Sequence, residues 1–138
     1  MVERLLLDTC ALIWITQDRA LEPAAEDAID RAYDLKQPLR VSVMSAWEIG
    51  MLVSKGRVPA IRPPDRWLED FAGTGTATIE NVTPRILVAS SFLPSPVHGD
   101  PMDRILIATA RDLDLTIVTR DRGILAYSAA GHVKTVRC

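Results

Sequence analysis

Short apolar runs alternate along this chain with segments whose apolar residues recur every three or four positions, a pattern that predicts strands and helices in turn. Val2 to Leu7 is nearly continuous in apolar character, as expected of a strand covered on both faces in a parallel sheet. It ends at Asp8 and Thr9, and a helical segment is expected from Ala11 to about Thr16. Pro23 opens a second helix, in which Ala28, Ile29, Ala32 and Leu35 are spaced for one buried face. Leu39 to Val43 is the next strand. From Ser45 to Ser54, Trp47, Met51 and Leu52 fall at helical spacing, with Ser45 a possible N-cap and Gly56 the stop. That helix carries Glu48 in its first turn.

Pro64 to Phe71 reads as a further short helix, and Gly73 and Gly75 break the chain before the β-branched segment Thr76 to Val82, a strand. Pro84 starts a helix running to about Phe92, and Pro94, Pro96 and Gly99 mark a loop. The clearest start signal follows: Asp100 as N-cap, Pro101 at the first helical position, Asp103 in the first turn, then Ile105, Leu106 and Ala108. Leu115 to Thr119 is a strand leading to Asp121; a short helix after Gly123 and a strand near Val133 to Val136 complete the pattern. Strands alternating with helices imply an α/β fold, a mostly parallel sheet with helices on both faces.

Composition narrows the class. With 48% hydrophobic and 25% charged residues the balance is that of a globular protein, which argues against a disordered chain and gives no reason to invoke a disulfide scaffold. A chain of 138 residues buries roughly two-thirds of its unfolded surface as one ordinary domain, so a single domain over residues 1–138 is expected. The apolar runs are too short to cross a bilayer, and Glu3, Asp8 and Asp18 interrupt any secretory pattern; a cytoplasmic protein is expected. Cys10 and Cys138 form no metal-ligand or redox spacing, and Cys10 reads as a small buried apolar residue. The net charge of -2 does not announce a nucleic-acid binder. Carboxylates concentrated at a metal site would account for the acidic total while arginines elsewhere meet phosphate.

In a parallel sheet, strand C-termini and the following helix N-termini share one edge, where ligands usually bind. Asp8 and Asp121 follow strand ends, and Glu48 and Asp103 lie in first helical turns, so all four are expected on that edge. Four ionised carboxylates gathered there repel, each close pair by about 4 kcal/mol at 4 Å and an effective dielectric near 20. Only oxygen ligands are present, so the cations suited to offset that repulsion are hard ones, Mg²⁺ or Mn²⁺. One or two such ions suit phosphodiester hydrolysis, orienting a water and stabilising the leaving oxygen.

Blander roles compete at each position. Acids at helix starts favour the positive end of the helix dipole, which for Asp100 makes capping the leading reading and a supporting role at the metal edge the second. Thr9 and Thr119 either position carboxylates or cap locally. His98 precedes the acidic helix and reads first as structural. Trp14, Trp47 and Trp67 read as core or partner contacts rather than base-stacking platforms. Arg104, Arg120 and Arg122 are candidates for phosphate contact.

Four segments, LLLDTCALIW, SAWEIGMLVSKGRV, HGDPMDRILIATA and LTIVTRDRGILAY, together resemble the PIN-domain nucleases, and within them the VapC-like toxins of type II toxin-antitoxin systems. The segments occur in the family's order and span almost the whole chain. The resemblance implies an acidic quartet of Asp8, Glu48, Asp103 and Asp121, with Asp100 as an accessory acid. It further implies a PIN-like three-layer sandwich around a five-stranded parallel sheet, Mg²⁺ or Mn²⁺ dependence, endoribonuclease activity on RNA and frequent homodimerisation. It implies a VapB-like antitoxin laid along an apolar groove, and a stand-alone toxin without an appended RNA-binding domain. Met102 stands where Phe is common in the motif, a departure that leaves the acids untouched. Two other enzyme classes place an Asp after a first strand. A haloacid dehalogenase-type phosphatase wants a second Asp where this chain has Cys10, and a receiver-type phosphoacceptor leaves Glu48 unexplained. A PIN-like interaction module that does not cut is the non-enzymatic alternative.

Overall fold

The computed structural model describes residues 3–97 and 99–138. Five strands, β1 (Leu5–Leu7), β2 (Leu39–Ser42), β3 (Ala77–Glu80), β4 (Thr116–Thr119) and β5 (Lys134–Arg137), pair in parallel in the order β3-β2-β1-β4-β5. Seven helices connect them among the described residues: α1 (Thr9–Thr16), α2 (Pro23–Asp34), α3 (Met44–Ser54), α4 (Trp67–Ala72), α5 (Pro84–Ser90), α6 (Pro101–Leu113) and α7 (Arg122–Ala129).

Side chains of a strand alternate between faces, and β1 shows the consequence. Leu5 and Leu7 pack with Ala11, Leu12, Ala25, Ala28, Ile49 and Trp67 from α1 to α4. Leu6 packs with Ile86, Leu106, Ile107, Ile124 and Tyr127 from α5 to α7. The sheet is thus the middle layer of three, and β1 at its centre has no polar face. Each fully buried leucine of β1 contributes about 1.5–3 kcal/mol relative to exposure. No helix among the described residues is long and apolar enough to cross a membrane.

Strand order decides where a ligand can sit. The chain leaves β1 for β2 and β3 on one side and returns to β4 and β5 on the other. This reversal opens a crevice at the carboxyl ends of β1 and β4. The Asp8 N–H donates to the Val118 carbonyl at 3.0 Å, tying the end of β1 to β4 at the mouth of that crevice.

Several boundaries differ from the sequence expectations. The expected strand from Val2 is observed as Leu5–Leu7, and Val2 lies outside the described residues. Helix α3 begins at Met44, whose N–H is accepted by the Ser42 hydroxyl at 3.1 Å; Ser45 is therefore inside the helix rather than its cap, and Glu48 lies beyond the first turn. The expected helix from Pro64 is split into a 3₁₀ turn, Pro64–Arg66, and α4. Leu35, expected on the buried face of α2, is 54% exposed, because Ala25, Ala28 and Ala32 form that face instead. Gly56 ends α3 as expected, with φ of +69°, a conformation that favours glycine.

Candidate active site

The crevice holds a cavity of about 410 Å³ walled by Asp8, Glu48, Asp100, Asp103 and Asp121, together with Thr9, Cys10, Trp14 and Arg120. A larger cavity of about 870 Å³, lined by Ile15, Ile29, Tyr33, Leu39 and Phe71 among others, has only Asp34 and Lys36 as charged lining groups. Convergent ionisable groups, not volume, distinguish the first. The four expected acids are brought together from β1, α3, α6 and the end of β4, and Asp100 joins them.

Each acid is held by its own local structure. Asp8 caps α1: its Oδ1 accepts from the Thr9 N–H at 2.6 Å. Its Oδ2 accepts from the Thr119 hydroxyl at 2.7 Å and from the Cys10 thiol at 3.7 Å. Asp100 caps α6, its Oδ1 accepting from Met102 N and Asp103 N at 2.8 and 3.2 Å. Asp121 caps α7, Oδ2 accepting from Ile124 N at 2.9 Å, while its own N–H donates to the Thr119 hydroxyl at 3.0 Å. The capping and site readings of these acids coexist, because a carboxylate oxygen has more than one lone pair.

Mutual proximity shows in the protonation energetics. Burial raises the Asp8 carboxyl above its ordinary range; the Thr119 and Thr9 hydrogen bonds oppose this and Asp121 adds to it. Glu48 is raised by burial against a hydrogen bond from Thr9, and further by Asp8, Asp100 and Asp121. Asp103 is pushed up to about 8, by burial first and then by Asp121, Asp100, Asp8 and Glu48. Buried acids that further raise one another are a mark of functional sites.

The donor set fits a hard divalent cation. All its side chains offer oxygen, and the carboxyls gain from any cation that relieves their repulsion. Among the described residues no three His, Cys, Asp or Glu side chains form a ready-made ligand set for one ion. This is compatible with Mg²⁺, which commonly binds through one or two carboxylates and keeps several waters.

The remaining candidates separate. Thr9 and Thr119 both touch acids of the site; the Thr9 hydroxyl also lies 2.9 Å from that of Ser45, locking α1 to α3. Arg120 lines the cavity; its guanidinium stands 3.4 Å above the Trp14 ring and its Nε and Nη2 donate to the Cys138 carbonyl at 3.2 and 3.0 Å. Arg122 is exposed at the start of α7. Arg104 is turned to the end of α5, donating to the Ser90 and Ser91 carbonyls at 2.9 and 3.4 Å. His98 lies outside the described residues. Trp67 is fully buried core, whereas Trp47 is 55% exposed.

Cys10 departs from expectation: it is half-buried at the cavity rather than a core residue, and its thiol is held up by the neighbouring Cys138 thiol and by burial. A neutral thiol is a donor, which suits its bond to Asp8. Ser45, Cys10 and the Trp14 platform were missed as parts of the site. Ser45 stands three residues before Glu48, one helical turn away, a spacing that could have suggested it.

Comparison with known proteins agrees with this geometry. The PIN domain family profile matches residues 5–130. The chain is 32% identical over 123 residues to Ribonuclease VapC22 of Mycobacterium tuberculosis (strain ATCC 25618 / H37Rv), covering 88% of this chain and 90% of that protein. Its fold resembles the crystal structure of VapBC2 from Rickettsia felis bound to a promoter DNA fragment, with a TM-score of 0.69 at 12% identity, covering 96% and 97% of the two chains. It also resembles PAE2754 from Pyrobaculum aerophilum, with a TM-score of 0.61 at 18% identity, covering 99% and 90%. A toxin-antitoxin complex from Klebsiella pneumoniae matches with a TM-score of 0.60 at 19% identity, covering 96% and 95%.

Proposed function

We infer from the chain's place in the PIN domain family, to which it belongs alongside the VapC-like proteins, that the acidic crevice is the active site of an endoribonuclease toxin. The single observation that carries this is the convergence of five carboxylates on one cavity, with Asp103 raised to about 8 by burial first and then by the charges of its neighbours. A surface that has no use for a cation would not sustain that repulsion.

In this reading Asp8, Glu48, Asp103 and Asp121 hold Mg²⁺ or Mn²⁺, with Asp100 accessory. The bound ion supplies the charge that orients an attacking water and stabilises the leaving oxygen of a phosphodiester. The chain does the rest. Thr119 fixes the Oδ2 face of Asp8 and, through its oxygen, the backbone entering Asp121. Thr9 steadies Glu48 and, with Ser45, the spacing of α1 and α3. Arg120 brings positive charge to the rim, where an RNA phosphate would enter, and Arg122 extends it. Arg104 is a more peripheral phosphate contact, since its guanidinium is already committed to α5.

The protein acts, on this proposal, as a single cytoplasmic PIN domain that pairs as a homodimer and is neutralised by a VapB-like antitoxin. Exposed Trp47, with Met51 one turn further along α3, offers that partner an apolar hold close to Glu48. Purified partner-free protein is expected to cut cellular RNA when Mg²⁺ or Mn²⁺ is added and to stop on chelation, with cleavage ends read by sequencing. Intact RNA under all metal conditions would sink the nuclease reading, and cutting undiminished by chelator would sink the metal.

A further inference from the structure

Arg120 is a wall shared by two cavities. One is the acidic crevice; the other, about 490 Å³, is lined by Arg120, Arg122, Arg137, Glu22 and Leu125. The second has the opposite charge, three guanidiniums against one carboxylate. No sequence motif joins these residues. Arg137 lies in β5 opposite Thr119 of β4, Arg122 opens α7, and Glu22 precedes α2.

From this juxtaposition we propose that the arginine pocket is a phosphate subsite, holding the backbone phosphate next to the scissile one as single-stranded RNA leaves the acidic crevice past Arg120. The inference rests on the ribonuclease reading and adds to it a second binding position, a new residue, Arg137, and a path for the strand.

Three features suit the pocket to this ligand. Arg120 is preorganised, because the Trp14 stack and two hydrogen bonds to the Cys138 carbonyl orient its plane, so little side-chain freedom is lost on binding. Among the described residues its Nη1 has no hydrogen-bond partner, which leaves donors of the guanidinium fork for a phosphate oxygen. Arg137 and Glu22 are paired at 3.5 Å with side chains 67% and 50% exposed, and such surface pairs are weak and screened by salt. Phosphate can therefore take Glu22's place at little cost.

RNA fits better than an acidic protein segment. An acidic segment continuing past Arg120 would meet five carboxylates with no cation of its own. A nucleic acid strand places its scissile phosphate there on the cation and its neighbour on the arginines. Contacts to phosphate alone position a strand without reading its sequence, so the subsite is expected to act on every RNA substrate alike.

The test is fluorescence anisotropy of a short labelled single-stranded RNA with hydrolysis-resistant phosphorothioate linkages, in Mg²⁺ and across a salt series, so that binding is read without cleavage and with a cation among the acids. The full chain is compared with Arg122→Gln/Arg137→Gln and with Arg85→Gln, whose side chain pairs with Asp112 on α6 instead. Loss of one phosphate contact should flatten the slope of log K against log salt by about 0.7. Binding at low salt should weaken several-fold, thermal midpoints should stay the same, and Arg85→Gln should behave as the parent. A slope unchanged in the double variant would overturn the subsite, as would RNA binding too weak to measure in the parent protein. Parallel cleavage assays with Mg²⁺ separate the two readings. A parent that cuts RNA while the double variant keeps its slope condemns only the subsite, and a parent that binds with the expected slopes yet never cuts condemns the nuclease.

Discussion

The Thr119 hydroxyl donates to Asp8 Oδ2 at 2.7 Å although the two residues are 111 positions apart, and the same oxygen accepts the Asp121 N–H at 3.0 Å. One fully buried hydroxyl thus couples the acid that ends β1 to the acid beyond β4. Thr119→Val keeps the shape and removes both bonds. Leaving those buried groups unsatisfied should cost about 1–3 kcal/mol in a denaturant titration. Loss of a partner that orients ligands should lower metal affinity or cleavage roughly 10–100-fold. Unchanged cleavage with reduced stability would make Thr119 purely structural.

Asp8→Asn keeps the size of the side chain and removes a buried charge whose protonation is already favoured by its surroundings. The fold should survive, shown by an unchanged circular dichroism spectrum. Cleavage should fall by more than the roughly 10–100-fold expected for a supporting residue, and cutting at the parent rate would remove Asp8 from the mechanism.

Raised carboxyl pKa values set the pH dependence of the metal-free protein. Asp103 sits at about 8 in the fold against an ordinary 3.8, so between those values the folded state binds more protons than the unfolded one. Stability then declines as pH rises through that window. In chelator the thermal midpoint should be higher near pH 5 than near pH 8. Added Mg²⁺ should raise it most at the alkaline end, where the carboxylates are charged, and an equal Mg²⁺ effect at both ends would contradict a site assembled from these acids.

Asp103→Asn removes the carboxyl that burial and its acidic neighbours raise. It should stabilise the metal-free protein near pH 8, leave it little changed near pH 4, and reduce cleavage. Destabilisation near pH 8, measured by thermal melting in chelator, would show that the neighbouring acids do not strain this carboxyl.

Two tryptophans should behave oppositely. Trp67 is fully buried and its Nε1–H donates to the Thr16 hydroxyl at 3.0 Å; Trp67→Ala should cost about 3–5 kcal/mol. Trp47 is more than half exposed, so Trp47→Ala should alter stability by no more than about 0.5 kcal/mol. It should spare cleavage but weaken binding of a VapB-like antitoxin, measured by calorimetry, and undiminished binding would place that partner elsewhere.

Much of this architecture was legible before any coordinates. Continuous apolar runs and 3.6-residue periodicity mark each strand and helix, and the Asp100-Pro101 pair marks the start of α6, because those signals are local: they concern backbone hydrogen bonds and side chains within a turn of one another. Once the strands are read as parallel, Asp8, Asp103 and Asp121 fall on one edge without further information. Boundaries were less legible where two nearby hydroxyls compete, as when Ser42 rather than Ser45 accepted the first N–H of α3, which starts the helix one residue early and moves Glu48 out of the first turn.

Lateral contacts had to await the fold. Nothing in the order of residues says that β4 lies beside β1, yet that adjacency puts the Thr119 hydroxyl on Asp8, and its extension to β5 brings Cys138 to Cys10 and Arg137 to Arg120. The chain by itself settled the order of its elements and that Asp8, Asp103 and Asp121 sit at their ends. Which of those ends touch, and hence which hydroxyl, thiol or guanidinium serves each carboxylate, was decided by strand order, since hydrogen bonds and charge interactions act over a few ångströms in space whatever the separation along the chain.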